Sequence, residues 1–144
     1  MILHKTILIL EDDLRTLSKI LDRLSVLEDD QPYQFSMVIL TNYLQVEEYI
    51  NNNPKAGFDM ILLDRDCKLG GSFHVADLER LGPEKVIAIS SVPKYNEEAK
   101  RRGVLHCVKK NYRNLDTFAD ALKKEVADFL REIPPKESDF HQIT

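Results

Sequence analysis

Three apolar runs in this 144-residue chain, and a weaker fourth, hand over directly to groups that can hold a metal, donate hydrogen bonds or carry charge. Ile7-Leu8-Ile9-Leu10 ends in Glu11-Asp12-Asp13, and Met60-Ile61-Leu62-Leu63 ends in Asp64-Arg65-Asp66. Val86-Ile87-Ala88-Ile89 ends in Ser90-Ser91, and the weaker stretch 105–109 leads to Lys110. Carboxylates crowded together cannot all stay ionised without a compensating cation. Mg²⁺ would serve, since it takes one or two carboxylates together with phosphate oxygens and water. A lysine and a hydroxyl would set positive charge and donors around the oxygens of a phosphoryl group in transfer. An aspartate can act as the nucleophile, forming an aspartyl phosphate, and needs no general base because it is already ionised at neutral pH. The four ends together point to phosphoryl transfer, with Asp64 as the reactive residue. Taken singly, Asp64 reads equally well as the cap of a turn, and Asp13 reads as a helix cap.

Bringing such groups together requires parallel strands that end on one side. A continuous apolar run bounded by charge is what a strand covered on both faces looks like, although periodicity alone does not separate it from a short buried helix. Strands are expected over 5–10, 35–41, 59–64, 85–90 and 105–109. Between them, Leu14, Leu17, Ile20, Leu21, Leu24 and Leu27 recur at helical spacing, so a helix runs from Asp13 to about Glu28. Leu44, Val46, Tyr49 and Ile50 mark a short helix stopped by Asn51-Asn52-Asn53-Pro54. Phe73, Val75, Ala76, Leu78 and Leu81 mark another over 73–81, broken by Gly82-Pro83. Pro93 opens a polar helix reaching about Arg102, where Gly103 ends it. Leu115, Phe118, Leu122, Val126, Phe129 and Ile133 stripe a long helix over 114–133, closed by Pro134-Pro135. Gly70-Gly71, in the loop after Asp66, permits a bend or a close backbone approach. A phosphate cradle is the functional alternative for these glycines, but no GxxxxGK[ST] or GxGxxG surrounds them. The five alternations give an α/β sheet of mostly parallel strands, in which ligands sit outside the carboxyl ends.

The totals fit one domain and exclude several classes. A net charge of −4 demands no nucleic acid. Lys100-Arg101-Arg102 with Lys109, Lys110 and Arg113 reads as a solvated face plus one functional lysine, with a polyanion patch as the alternative. Two cysteines, Cys67 and Cys107, have no CxxC spacing, and the four histidines form no HxxxH or HExxH pattern, so neither a disulfide framework nor zinc is expected. The start of the chain suits neither a signal peptide nor a membrane span, so a cytoplasmic protein is expected.

From about Lys5 to Ile133 the chain resembles the receiver domain of two-component response regulators, in its single-domain, chemotaxis-type form. The resemblance rests on an ordered set: the acidic pair Glu11-Asp12 after strand one, Asp64 after strand three, Ser90 after strand four and Lys110 after strand five. It implies a flavodoxin-like, doubly wound sheet of five parallel strands in the order 2-1-3-4-5. It also implies that Asp64 accepts a phosphoryl group from a phosphohistidine of a sensor histidine kinase or histidine phosphotransfer protein. Mg²⁺ would be held by Asp12 and Asp64, by Glu11 through water, and by the backbone carbonyl of Asp66, while Ser90 and Lys110 grip the phosphoryl oxygens. A receiver assists its own phosphorylation and dephosphorylation and is not a turnover enzyme. Its state would pass to a downstream protein, since residues 134–144 are too few for a DNA-binding unit. The receiver domain would occupy 1–135 and a polar tail 136–144, and the outer face of the last helix could build a homodimer.

Several positions depart from the family pattern. Lys68 and Asn111 stand where prolines are usual, and the proline at the latter position often follows a cis bond. Cys107 replaces the switch aromatic of strand five, with His106 as a neighbouring substitute. Two other readings remain open. One is a receiver-like interaction module without phosphorylation, and the other is a phosphatase using Asp64-Arg65-Asp66 as a DxD pair.

Overall fold

Each unbroken apolar run becomes a strand whose side chains alternate between two cores. In the computed structural model, which describes residues 2–30, 32–66 and 73–134, the strands are β1 (Leu3–Leu10), β2 (Tyr33–Leu40), β3 (Met60–Asp64), β4 (Val86–Ser90) and β5 (His106–Lys109). They form one sheet in the order β2-β1-β3-β4-β5, with every pair parallel. Ile7, Ile9, Leu62, Ile87 and Ile89 pack with α1 (Leu14–Asp30) and α5 (Leu115–Glu132), meeting Leu24, Phe118, Leu122 and Val126. Their neighbours Leu8, Leu10, Ile61, Leu63 and Ala88 fill a second core with Val46 of α2 (Leu44–Val46), Ile50, Phe73, and Leu78 and Leu81 of α3 (Leu78–Leu81). A period of two in the strands, with both faces covered, therefore accounts for apolar runs that show no alternation. Each of these side chains other than Ala88 contributes about 1.5–3 kcal/mol by its burial.

The helices begin where the capping residues place them. Asp13 accepts the backbone N–H of Thr16 at 3.0 Å at the head of α1, and Asn114 accepts that of Thr117 at 3.1 Å at the head of α5. Pro93 occupies the first turn of α4 (Pro93–Arg101), and Gly103, at φ +96°, turns the chain out of it. Arg23 ties α1 to α5 through Asp116 and Asp120, each at 2.9 Å.

Some expectations are corrected. The helix foreseen over 73–81 divides into a 3-10 turn, Phe73–Val75, and the short α3. Asn51 causes the division, because its amide donates to the Val75 carbonyl at 2.8 Å and accepts the Asp77 N–H at 2.9 Å. Asp77 then caps α3 by accepting the Arg80 N–H. β2 starts at Tyr33 and stops at Leu40, whereas 35–41 was expected. Leu105 lies outside β5 and is 74% exposed. Leu14, Leu44 and Tyr49, counted among the apolar stripes, are also exposed, since they sit at helix starts or edges beyond the area of the sheet.

Among the described residues β2 is an edge strand paired only with β1; it carries no charged residue, and its Met37, Val38 and Ile39 are exposed. Lys5 in β1 is 1% exposed, and its Nζ has no hydrogen-bond partner among the described residues. Among the described residues no helix is long and apolar enough to cross a membrane. Cys67, Lys68, Gly70-Gly71 and the tail over 136–144 lie outside the described residues.

Candidate functional site

The ladder draws the strand ends together beyond the strands themselves. Glu11 N–H donates to Leu40 O at 3.3 Å, Arg65 N–H to Ile89 O at 2.9 Å, and Lys110 N–H to Ser90 O at 2.9 Å. Four of the sequence-derived residues, Glu11, Asp64, Ser90 and Lys110, are thereby buried to 1% exposure or less at one end of the sheet, with Asp12 half-buried beside them. Buried polar side chains at strand ends, with every apolar neighbour committed to a core, mark a site rather than a packing feature.

Carboxylate oxygens of Glu11, Asp12 and Asp64 lie within 4.8 Å of one another. Lys110 Nζ stands among them, 2.7 Å from Glu11 Oε1 and 3.3 Å from Asp64 Oδ1. Glu11 Oε2 accepts the Asp13 N–H at 3.1 Å, which fixes its carboxylate. One ammonium against three carboxylates leaves the cluster acidic. Burial, reinforced by the charge of Glu11, pushes the Asp64 carboxyl up to about 9. Burial works against the charge of Lys110, but Asp64 and Glu11 outweigh it and hold the ammonium above its ordinary pKa.

The two oxygens of Asp64 differ. Oδ1 accepts from Lys110 and from the Asp66 N–H at 3.0 Å, whereas Oδ2 is buried and has no hydrogen-bond partner among the described residues. An orphaned buried carboxylate oxygen inside an acidic cluster fits a hard divalent cation, whose preferred donors are oxygens.

Asp66 is not among the three converging carboxylates. Its side chain turns instead to β4, where Oδ1 accepts from Ser90 Oγ at 2.6 Å and Oδ2 accepts from the Ser91 N–H at 2.7 Å. Tyr112 Oη, whose ring lies 5.0 Å from Lys110 Nζ, donates to the same Oδ2 at 3.2 Å. Ser90 Oγ in turn accepts the Val92 N–H at 3.0 Å. Burial opposes the charge of Asp66, but the bonds from Ser90 and Ser91 hold its pKa below the usual carboxylate range. Burial raises the Tyr112 phenol above its ordinary value, so it stays a donor. Sequence reasoning missed Tyr112; the available signal was an aromatic residue two positions after Lys110. A cleft of about 640 Å³ opens beside the site, with Asp12, Asp13, Arg15, Asp66, Tyr112 and Leu115 in its walls.

The departures on β5 have distinct outcomes. Cys107 packs with the α2–α3 core and lies 3.7 Å from Asn96 O, while His106 faces the opposite way, with Nδ1 2.7 Å from Glu125 of α5 and its ring edge-on to Phe129. Successive strand residues point to opposite faces, so His106 does not replace an aromatic at position 107. Asn111 Oδ1 accepts the N–H groups of Arg113 and Asn114 at 3.0 and 3.3 Å, and no cis peptide bond occurs among the described residues. Lys109 is exposed, as a solvated lysine should be.

No protein-family model and no curated protein matches the chain. Solved structures do. The phosphorylated cyanobacterial phytochrome response regulator RcpA is similar at a TM-score of 0.69 and 17% identity, over 93% of this chain and 99% of that one. The Mn²⁺-bound response regulator Rcp1 gives 0.68 and 16%, over 92% and 99%. The bacteriophytochrome response regulator RtBRR gives 0.64 and 20%, over 94% and 81%. The fold is that of response regulator receiver domains: a five-stranded parallel sheet in the order 2-1-3-4-5 with helices around it.

Proposed function

We propose that the chain is a phosphoacceptor of a two-component phosphorelay. Asp64 takes a phosphoryl group from the phosphohistidine of a sensor histidine kinase or a histidine phosphotransfer protein, and a downstream protein reads the result. The observation that carries this reading is the asymmetry of Asp64, with Oδ1 fixed by Lys110 and the Asp66 amide and Oδ2 buried and unpartnered. Attack by Oδ2 on phosphorus forms the O–P bond and breaks the P–N bond, and the electron pair returns to the donor's imidazole nitrogen. Lys110 keeps its positive charge beside the reacting carboxylate, and the Ser90 hydroxyl is the donor on the β4 side.

Glu11, Asp12 and Asp64 would hold Mg²⁺ together with the backbone carbonyl of Asp66, and Rcp1, which shares the fold, is described in a Mn²⁺-bound form. Burial holds Asp64 protonated at neutral pH in the metal-free protein, contrary to the ionised carboxylate expected, and such an ion would offset carboxylate charge, favour the ionised nucleophile and polarise the phosphoryl oxygens. The chain assists its own phosphorylation and dephosphorylation without being a turnover enzyme. The engagement of the Asp66 carboxylate by Ser90 and Ser91 speaks against its use as the acid of a DxD phosphatase. The loss of the β5 aromatic to Cys107 favours the second reading, an interaction module of the same fold without phosphorylation.

Incubation with Mg²⁺ and acetyl phosphate or phosphoramidate separates the readings. The intact protein is expected to gain one phosphoryl group by mass, and Asp64→Asn to gain none. If no mass is added and beryllofluoride with Mg²⁺ leaves the amide spectrum unchanged, the interaction module takes its place. Catalytic turnover of a phosphomonoester would restore the phosphatase.

A further inference from the structure

The carboxylate of Asp66 already occupies hydrogen-bond donors that a phosphorylated Asp64 would call on. Its two oxygens take the Ser90 hydroxyl at 2.6 Å and the Ser91 amide at 2.7 Å, and Tyr112 holds the second oxygen from outside at 3.2 Å. With Ser90 Oγ also accepting from Val92 N–H, the only proton of that hydroxyl is committed to Asp66. A carboxylate bound by a hydroxyl and a backbone amide has the same chemistry as a phosphoryl oxygen bound by them. We infer that Asp66 is an internal latch, a positioning residue that fills the anion subsite at the end of β4 and must withdraw its side chain before Ser90 can engage the phosphoryl group.

This inference rests on the phosphoacceptor reading of Asp64 and adds regulation to it. Two physical effects oppose simultaneous occupancy. The donors are finite, since one hydroxyl proton and one amide proton cannot serve a carboxylate and a phosphoryl group in full at once. The charges also repel, because a phosphoryl dianion on Asp64 lies two residues from the Asp66 carboxylate. The cleft lined by Asp12, Asp13, Arg15, Tyr112 and Leu115 gives the displaced side chain a route to solvent. The backbone of Asp66 need not move with it, because its N–H stays on Asp64 Oδ1 at 3.0 Å. The latch makes the resting state self-satisfied, so Ser90 is held by this chain's own acid until a stronger anion competes.

Beryllofluoride with Mg²⁺, which imitates the acyl phosphate, is the probe, and its affinity is read by titration of the amide spectrum. Asp66→Ala is expected to bind it about tenfold more tightly than the unaltered protein, since charge-assisted hydrogen bonds no longer have to be broken. In metal-free solution the same variant should shift the Ser91 and Val92 amide resonances, a readout that does not depend on the probe. Tyr112→Phe, which leaves the Ser90 and Ser91 bonds in place, should tighten binding by a smaller factor. Asp13→Asn removes one negative charge from the same cleft while keeping a capping side chain, and serves as the charge control. The latch is overturned if Asp66→Ala binds no more tightly than the unaltered protein, or if Asp13→Asn gains as much. If neither the protein nor Asp66→Ala responds to beryllofluoride, the phosphoacceptor reading itself fails.

Discussion

Asp64 carries an ionisation that the folded protein disfavours, and the consequence for stability has a definite sign. Its folded pKa, pushed up to about 9, lies above the value of about 4 expected for an unfolded chain. Stability from this group is therefore complete below about pH 4 and is lost progressively as the pH rises towards 9. In EDTA, Asp64→Asn should remove that loss and be more stable than the unaltered protein at pH 8, by on the order of 2 kcal/mol in urea unfolding. Adding millimolar Mg²⁺ should raise the stability of the unaltered protein and do little for the variant; equal gains in both would show that the ion binds elsewhere. At this scale the convergence of Glu11, Asp12, Asp64, Ser90 and Lys110 was legible in sequence because each lies at the end of an apolar run. The direction of the Asp66 side chain was not, since it depends on donors that β4 supplies from twenty-four residues away.

Between elements, the coupling of the site to α4 rests on contacts no local pattern announces. Arg65 follows Asp64 directly, its guanidinium lies 4.2 Å from the centre of the Tyr95 ring, and it reaches Glu98 at 3.7 Å. Both partners belong to α4, so the end of β3 is tied to that helix by contacts that need no aromatic residue on β5. Arg65→Ala is expected to keep phosphorylation by mass while the response of α4 amides to beryllofluoride shrinks. An undiminished response would place the coupling elsewhere. Sequence periodicity located α1, α4 and α5 well because their caps and breakers are local. It misjudged the stretch over 73–81, where Asn51 from another part of the chain breaks the helix by claiming Val75 and Asp77.

Across the whole molecule, the two-sided sheet was readable from the apolar runs of β1, β3 and β4, which are buried on both faces, whereas the run Met37-Val38-Ile39 in β2 is exposed. Lys5 is the exception inside that pattern, a lysine on a core-facing position with no partner for its Nζ. Lys5→Met fills a similar volume without a polar terminus and is expected to stabilise the protein by about 1–3 kcal/mol in urea unfolding. A loss of stability instead would mean that the amine is satisfied in solution. The period of two along β1 places Lys5 on the face of Ile7 and Ile9; that its amine end is also covered did not show in the sequence.

The free edge of β2 has a bearing on how the protein can be handled. Along Tyr33–Leu40 the outer row of backbone N–H and C=O groups meets no neighbouring strand among the described residues, the Phe35 N–H going to Glu28 Oε2 at 2.9 Å, and no charge or proline interrupts the run. Proteins ordinarily guard such edges with lysine, proline or a bulge. Concentrated solutions are therefore expected to lose material by strand-on-strand growth at this margin, so the shelf life of the protein is set at the opposite side of the sheet from β5, far from any question of signalling.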